Sequence, residues 1–264
     1  MSDDDVANAL AGLEQTRDRV LDGAAIRPGD AVLDVGAGTG LLALGAVERA
    51  GPDGDVFALD VSVDALDALR RSSDAPTLWY LLGDAAVLPL PDSSVDVAMT
   101  RSVLIYVDDV EAAVGEFRRV LRGGGRLSSF EPLNRRGTYM HDVIDWSPLG
   151  ELGERVLRDD RAFVAQDPIS QLDADELVDA LARAGFVEVR ADIEDVEEPW
   201  VVTEASVDAR LDAVGAPGHP SRRERWQSRY ESEEVDLLVA HVKSLAGQTL
   251  PLRWAHLWVT ARLP

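Results

Sequence analysis

The sequence predicts an α/β protein organised as a doubly wound parallel sheet. Three observations lead there. From residue 31 to residue 132, short apolar runs alternate with segments of helical period, the pattern of strands joined by crossover helices. The first run opens directly into a glycine-rich turn, VLDVGAGTG (32–40), where a strand would hand over to a helix. The runs are also punctuated by Gly, Pro and Asp clusters such as RPGD and GPDGD, which stop one element and start the next.

The elements follow in order. Residues 5–24 carry Val6, Leu10, Leu13 and Val20 at helical spacing, which predicts a leading amphipathic helix. Residues 31–35 are an apolar strand, and Leu41 to Ala50 reads as a helix stopped by GPDGD. VFALD (56–60) is the second strand, after which Ser62 can cap a helix through about Arg71. LWYLLGD (78–84) and VDVAMT (95–100) are the third and fourth strands. Between Asp109 and Arg122, Val110, Ala113, Val114, Phe117, Val120 and Leu121 mark one face of a helix, and GGGRLSSFEP turns into a fifth strand.

After Pro132 the pattern changes. Residues 133–170 show no clear period, contain Tyr139, Met140, His141 and Trp146, and read as an inserted segment. Asp173 with Glu176 has capping-box spacing at the start of a helix that runs to Gly185, and a strand follows from about Val187. Residues 200–247 read as mostly helical, broken by GAPGHP, before WAHLWVTARL (254–263) closes the chain as a strand. No linker composition separates a second domain, so 1–264 is read as a single domain with insertions at 133–170 and 200–247.

Composition narrows the classes. With no cysteine, disulfides, thiolate metal sites and cysteine nucleophiles are excluded. The 48 acids against 26 bases give a formal charge of -22, a field that repels a phosphate backbone and argues against a nucleic-acid partner. The opening MSDDD is acidic where a signal peptide would be basic, and no apolar run approaches the roughly 18 residues of a membrane span. A soluble, cytoplasmic protein without a membrane partner is expected.

The glycine turn carries the functional reading. Such a turn lets a ligand approach the backbone and places helix-end N–H groups beside it. A dinucleotide fingerprint would need a third glycine at position 41, where Leu41 stands; the pattern is instead acid-x-G-x-G-x-G, Asp34, Gly36, Gly38, Gly40. Asp60 ends the second strand, Asp84 ends the third in GDAAVLPLPDSSVDVAMT, and EFRRVLRGGGRL precedes the fifth. In this order the four features resemble the class I S-adenosylmethionine-dependent methyltransferases, well over 26–132 and fairly over 171–199. Gly123 departs from the family pattern, which has proline there.

The resemblance implies a Rossmann-like sheet of seven strands with the last antiparallel, and helical insertions that form a lid over the acceptor. It implies S-adenosylmethionine as cofactor and S-adenosylhomocysteine as product. The methionine part would lie on the backbone around Gly36, Ala37 and Gly38, with Gly40 completing the turn and Asp34 orienting it. Asp60 would accept from the ribose hydroxyls, Val61 would pack on adenine, Asp84 would accept from the adenine amino group and Ala85 would donate its N–H to the ring. Thr100 and Arg101 would lie beneath the sulfonium, although an acid-paired arginine is an equal reading of Arg101.

Tyr106, Glu131 and His141 are the catalytic candidates, needed only for an acceptor whose proton is held. Tyr106 stands where many relatives have histidine. Glu131 reads equally as a loop or helix-cap acid, and His141 as a solvated loop histidine. His219 and His256 are weaker. No metal site is expected.

Five tryptophans (146, 200, 226, 254, 258) fall after Pro132, which points to an apolar, aromatic small-molecule acceptor, with core packing as the ordinary alternative. RRERWQSRY (222–230) is read as a solvated helix paired with the nearby ESEE. A DNA amino-methyltransferase would need an N/D-P-P-Y/F motif where TRSV stands, and arsenite methylation would need cysteines. The expected acceptor is a small metabolite methylated on O, N or C by a monomer or homodimer; a peptide or protein acceptor and a non-catalytic S-adenosylmethionine-binding protein are the alternatives.

Overall fold

The computed structural model describes residues 3–215 and 218–264. In chain order come α1 (Asp3–Ala24), β1 (Ala31–Val35), α2 (Leu41–Ala50), β2 (Asp55–Asp60), α3 (Val63–Ser72), β3 (Leu78–Leu82), β4 (Val95–Arg101), α4 (Val110–Val120) and β5 (Leu121–Pro132). They are followed by α5 (Met140–Val143), α6 (Glu151–Gln166), α7 (Ala174–Arg183), β6 (Val187–Glu197), β7 (Trp200–Val201), α8 (Glu204–Asp212), α9 (Arg222–Arg229), α10 (Ser232–Lys243), β8 (Thr249–Leu250) and β9 (Arg253–Arg262). The chain divides into a sheet unit, which takes the chain up to Arg135 with 168–194 and 255–264, and a helical unit of 136–167 and 195–254.

In the sheet unit, seven strands run in the order β3-β2-β1-β4-β5-β9-β6. β1 is parallel to both β2 and β4, and β4 is parallel to β5, whereas β9 pairs with β5 antiparallel. The doubly wound reading therefore holds, closing antiparallel strand included. The central strands β1 and β4 are buried on both faces, which is why they read as continuous apolar runs, whereas the edge strand β6 is exposed along most of its length. Val32, Val56, Val97 and Met99 pack with Val20 and Leu21 of α1, Ala43 and Ala46 of α2 and Leu69 of α3. Leu33, Val35, Ala98 and Leu127 pack with Phe117 of α4 and Leu177 and Leu181 of α7.

Ser62 and Asp173 cap their helices as predicted, although Glu176 does not return the capping-box bond, and Asp109 caps α4 as well. Ser62 accepts from Ala65 N–H at 3.2 Å, Asp109 from Ala112 N–H at 2.9 Å, and Asp173 from Asp175 N–H at 2.9 Å and Glu176 N–H at 3.3 Å. The leading helix differs from its expectation. Val20 is buried, but Leu10 and Leu13 are 56% and 37% exposed, and the side chain of Val6 lies outside the described residues. Among the described side chains of α1, those of its last turns reach the core, where Gly45 of α2 brings the two helices close beside Leu21.

The helical unit has its own core, in which Met140, Ile144, Trp146, Val156, Trp200, Val207, Leu211, Trp226, Leu238 and Val242 are buried together. Its largest element, α6, falls inside the segment that shows no period. The reason is chemical: the buried positions of α6 are Gly153, Val156 and Asp160, so its inward face carries a glycine and an acid where a pattern search expects apolar residues. Gly153 packs directly on the Trp146 carbonyl. The short pair β7–β8 is a further element the sequence did not announce, and Ala216 and Pro217 of the GAPGHP break lie outside the described residues.

Candidate active site

Because β1, β2, β3 and β4 are parallel neighbours, their carboxyl ends share one edge, and the strand order reverses between β1 and β4. Open α/β sheets bind ligands at such a switch point. The cofactor-binding residues singled out from the sequence lie at or just after these strand ends. Gly36, Gly38 and Gly40 all have positive φ, of 70°, 53° and 100°. A Cβ at Gly36 would collide with Val103, so that glycine is needed for close approach as well as for its conformation. A Cβ at Gly38 would meet nothing within 4 Å: this part of the loop faces open space.

Asp60 holds the loop. Its Oδ2 accepts from Gly38 N–H at 2.7 Å and its Oδ1 from Ser62 N–H at 2.8 Å, while Ala37 N–H donates to Leu59 O at 2.9 Å. Gly40 precedes α2 with no side-chain cap on the helix, and Asp34, 1% exposed, sits behind it. Burial pushes the Asp34 carboxyl up to about 8; a hydrogen bond to the Ala43 backbone opposes this, the Asp60 charge adds to it and Arg101 opposes it. Asp34 Oδ2 has no partner among the described residues, and neither has Arg101 Nε, both fully buried atoms. Burial also lowers the Arg101 guanidinium, against the attraction of Glu131, Asp34 and Tyr106.

Val61 is 69% exposed, an apolar side chain held in solvent immediately after Asp60. Asp84 is exposed and its Oδ1 accepts from Ala86 N–H at 2.7 Å, with Ala85 buried beside it. Thr100 is buried and bonds Ser129 Oγ at 2.8 Å and Glu131 Oε1 at 3.1 Å.

Glu131 is wholly buried, and its carboxylate also accepts from Ser129 Oγ at 3.2 Å, Val103 N–H at 3.3 Å and Ile105 N–H at 3.4 Å. Burial nevertheless pushes it up to about 7, against hydrogen bonds from Leu104, Val103, Thr100 and Ile105. Tyr106, 47% exposed, ends the short turn Leu104–Tyr106 that Glu131 anchors. His141 belongs to the helical unit, so the three catalytic candidates are divided between two units. It is buried, its ring stacks on Tyr139 at 5.5 Å, its Nε2 lies 3.5 Å from Asp142 and its Nδ1 has no partner among the described residues. Burial lowers its pKa, the charge of Asp142 opposing.

A family model for a methyltransferase domain matches residues 33–129. The chain is 33% identical over 196 residues to the ubiquinone/menaquinone biosynthesis C-methyltransferase UbiE of Bordetella avium, covering 70% of this chain and 76% of that protein. The chain belongs to the class I S-adenosylmethionine-dependent methyltransferases. It is also 44% identical over 115 residues to the uncharacterized 37.1 kDa protein in transposon Tn4556 of Streptomyces fradiae; that match covers 43% of this chain and spans a third, 33%, of the other's length. Among solved structures, the YcgJ protein of Bacillus subtilis matches with a TM-score of 0.60 at 17% identity, covering 94% of this chain and 98% of that one, a likeness of fold.

Within this methyltransferase fold, several residues escaped the sequence reading. Ser102, directly after β4, has φ 54°, a strained setting for serine that no sequence signal marks, and its N–H donates to Phe130 O at 2.8 Å. Glu116 and Arg119 of α4 clamp residues 88–92. Glu116 accepts from Leu88 N–H at 2.7 Å, and Arg119 donates to Leu88 O at 2.9 Å, Leu90 O at 2.7 Å and Asp92 at 2.9 Å. The EFRRVL (116–121) and LPLPD (88–92) stretches are thus two halves of one contact that holds the loop after Asp84.

Other expectations change. Trp146, Trp200 and Trp226 are buried in the helical unit's core, the ordinary packing alternative, and Trp258 lies in the sheet unit against Phe130 at 4.6 Å. The arginines of α9 pair with Asp159, Asp160, Asp208 and Asp212 instead of ESEE, because the facing helices α6 and α8 present those acids. His219 faces Asp167 at 3.7 Å and His256 packs edge-on against Phe130 at 5.1 Å. Among the described residues no helix is long and apolar enough to cross a membrane.

Proposed function

We propose that this chain transfers a methyl group from S-adenosylmethionine to an oxygen, nitrogen or carbon atom of a small, largely apolar metabolite. The observation that carries the reading is the Gly38–Asp60 hydrogen bond beside an open stretch of glycine loop at the sheet's switch point. Each oxygen of Asp60 accepts one N–H and keeps a lone pair for a ribose hydroxyl. The exposed side chain of Val61 offers an apolar face to adenine, and Asp84 with Ala85 accepts from and donates to its edge. The backbone from Gly36 to Gly40 takes the methionine part. Asp34 and Arg101 bring a buried oxygen and a buried nitrogen, each still in need of a partner, to the same end of the sheet.

The sulfonium makes the methyl carbon electrophilic. The protein's task is then to align a nucleophile with the S–CH3 bond and to keep water out. In this reading Glu131 is a positioning residue: it fixes the 104–106 turn, and with it Tyr106, through its hydrogen bonds. Tyr106 and His141 are the groups assigned to a held acceptor proton, and burial, by lowering the His141 pKa, favours its neutral imidazole, the form that can accept a proton. The helical unit, inserted after β5 and between β6 and β9, is assigned the choice of acceptor. The UbiE relative's name makes carbon the first acceptor atom to test.

The experiment is transfer of isotope-labelled methyl from S-adenosylmethionine into a cell lysate fractionated into small molecules, protein and nucleic acid. Label in the small-molecule fraction is the expected result. Label confined to protein or RNA would overturn the acceptor class, and failure of the protein to bind S-adenosylmethionine would overturn the reading altogether.

A further inference from the structure

We propose that Val103 is a positioning residue that ties Tyr106 to the glycine loop, so that a cofactor lying on Gly36 and Gly38 sets the place of Tyr106. The inference rests on the proposed placement of the methionine part on that loop.

Val103 follows β4 and meets three groups at once. Its side chain fills the notch that Gly36 leaves by having no Cβ: an added Cβ would run into Val103 Cγ2 and would lie 3.4 Å from its Cβ and Cγ1. Its N–H donates to Glu131 Oε1 at 3.3 Å, and its carbonyl accepts from Tyr106 N–H at 2.9 Å. Glycine loop, buried acid and Tyr106 are therefore joined through one residue, and all of them belong to the sheet unit.

The surroundings of Val103 suit it to carry a displacement. Both γ carbons of a valine sit on Cβ and its χ1 is restricted, so a push on the methyl groups moves the backbone instead of turning the side chain. Upstream, Ser102 is held at φ 54°, a conformation that a serine keeps only where its neighbours impose it, and its N–H bond to Phe130 O at 2.8 Å fixes that end of the turn. Downstream, Leu104 and Ile105 are buried in the sheet core. Between these ends the bonds to Glu131 are long, 3.3 Å from Val103 N–H and 3.4 Å from Ile105 N–H, which leaves the turn room to close on the carboxylate. A methionine part seated on the loop fixes Gly36, the notch and Val103, and with Val103 the carbonyl on which Tyr106 stands. The group assigned to a held acceptor proton is then placed when cofactor is present, and by linkage a ligand that engages Tyr106 tightens cofactor by the same factor.

The test is 13C NMR of the full chain with labelled tyrosine rings, titrated to saturation with S-adenosylhomocysteine. Among the four tyrosines, Tyr106 is assigned by the signal that disappears in Tyr106→Phe. Its signal should shift in the unmodified protein, and in Val103→Ala that shift should fall about threefold or more. Val103→Thr, which keeps the branched shape at a half-buried position, should retain it. Measurement at saturation separates the shift from any change in affinity. A residue that only packed the turn would move the resting Tyr106 signal and leave its response to cofactor intact. An undiminished shift in Val103→Ala, or a shift lost equally in Val103→Thr, would overturn the proposal. Should Val103→Ala fail to fold, Val103→Leu, which moves the branch from Cβ to Cγ, takes its place and should lose the shift likewise. Failure of the unmodified protein to bind S-adenosylhomocysteine would overturn the cofactor reading itself, whereas binding without a Tyr106 shift would overturn this inference alone.

Discussion

The carboxyl ends of β1 and β4 and the contact of α6 with α9 both bury arginine beside acid, and they differ in how completely the acids are paired. At the sheet edge Asp34 and Glu131, both buried, attract Arg101 without a direct ion pair to it among the described residues, and Asp60 and Asp84 lie at or just after the neighbouring strand ends. In the helical unit Asp160 pairs with both Arg222 and Arg225, and Asp167 adds its attraction to Arg225. At the sheet edge the carboxyls keep oxygens free to accept from a ligand, whereas between α6, α8 and α9 the acids are taken up in ion pairs with arginine. The net charge of -22 distinguishes neither arrangement. What a buried site will take is decided by its local pairs and unpaired atoms, and a whole-chain charge is a guide to solubility and long-range attraction.

The largest expected effect removes an acid from the sheet edge. Asp60→Ala takes away the acceptor assigned to two ribose hydroxyls and should weaken S-adenosylmethionine about a hundredfold, measured by calorimetry, with the circular dichroism spectrum unchanged. It should also free Gly38 N–H and Ser62 N–H, so some of the loss comes from a looser loop. Unchanged affinity would break the comparison at its first term. Arg119→Ala comes next. Cutting the clamp on residues 88–92 should lower unfolding stability by about 2 kcal/mol in denaturant titration, discounted for the partial exposure of the side chain, and weaken cofactor binding a few-fold through the Asp84 loop.

Glu131→Gln sharpens the electrostatic side. Glu131 and Asp34 keep their protons in the folded state up to about 7 and about 8, whereas the unfolded chain releases them near 4.5 and 3.8. The folded state therefore binds more protons between those limits, and its stability is full below about pH 4 and lost as pH rises toward 8. Each group contributes a slope of about 1.4 kcal/mol per pH unit between pH 5 and 7. Glu131→Gln should remove one of the two slopes, while the amide keeps an acceptor for the 104–106 turn. A pH profile identical to that of the unmodified protein would show that Glu131 stays ionised and that the sheet edge carries more negative charge than argued above.

The two units were unequally legible, and the reason lies in their burial patterns. β1 and α2 begin and end where their apolar runs do, because a sheet covered on both faces and an amphipathic helix write their periods directly into the sequence. The glycine loop, Asp60 and Asp84 were legible because their spacing is tied to strand ends. In α6 the inward face is Gly153, Val156 and Asp160, so the helix is packed by a glycine contact and an ion pair that no hydrophobic period reveals. The arginines of α9 were visible as a charged stretch, but their partners lie on α6 and α8, far off in sequence. Ser102 and the donors around Glu131 depend on the path of the chain after β4, which has no local signal.

The smallest expected effect lies in α1, where the spacing of Leu10 and Leu13 reads as a core-facing stripe that the fold does not use. Both side chains stand exposed while Val20 and Leu21, two and three turns on, are buried against the sheet and α2. Leu10→Ser with Leu13→Ser should therefore change unfolding stability by less than about 0.5 kcal/mol, as surface positions do. Leu21→Ala in the same helix should cost about 3 kcal/mol, because it empties the space beside Gly45 and Val20. The contrast within one helix isolates burial from helix propensity, since serine is the poorer helix former of the substituents and yet should do the lesser damage. A large loss from the leucine pair would mean that the first turns of α1 are covered in solution, and the sheet unit's core would then extend past the residues that pack it in this structure.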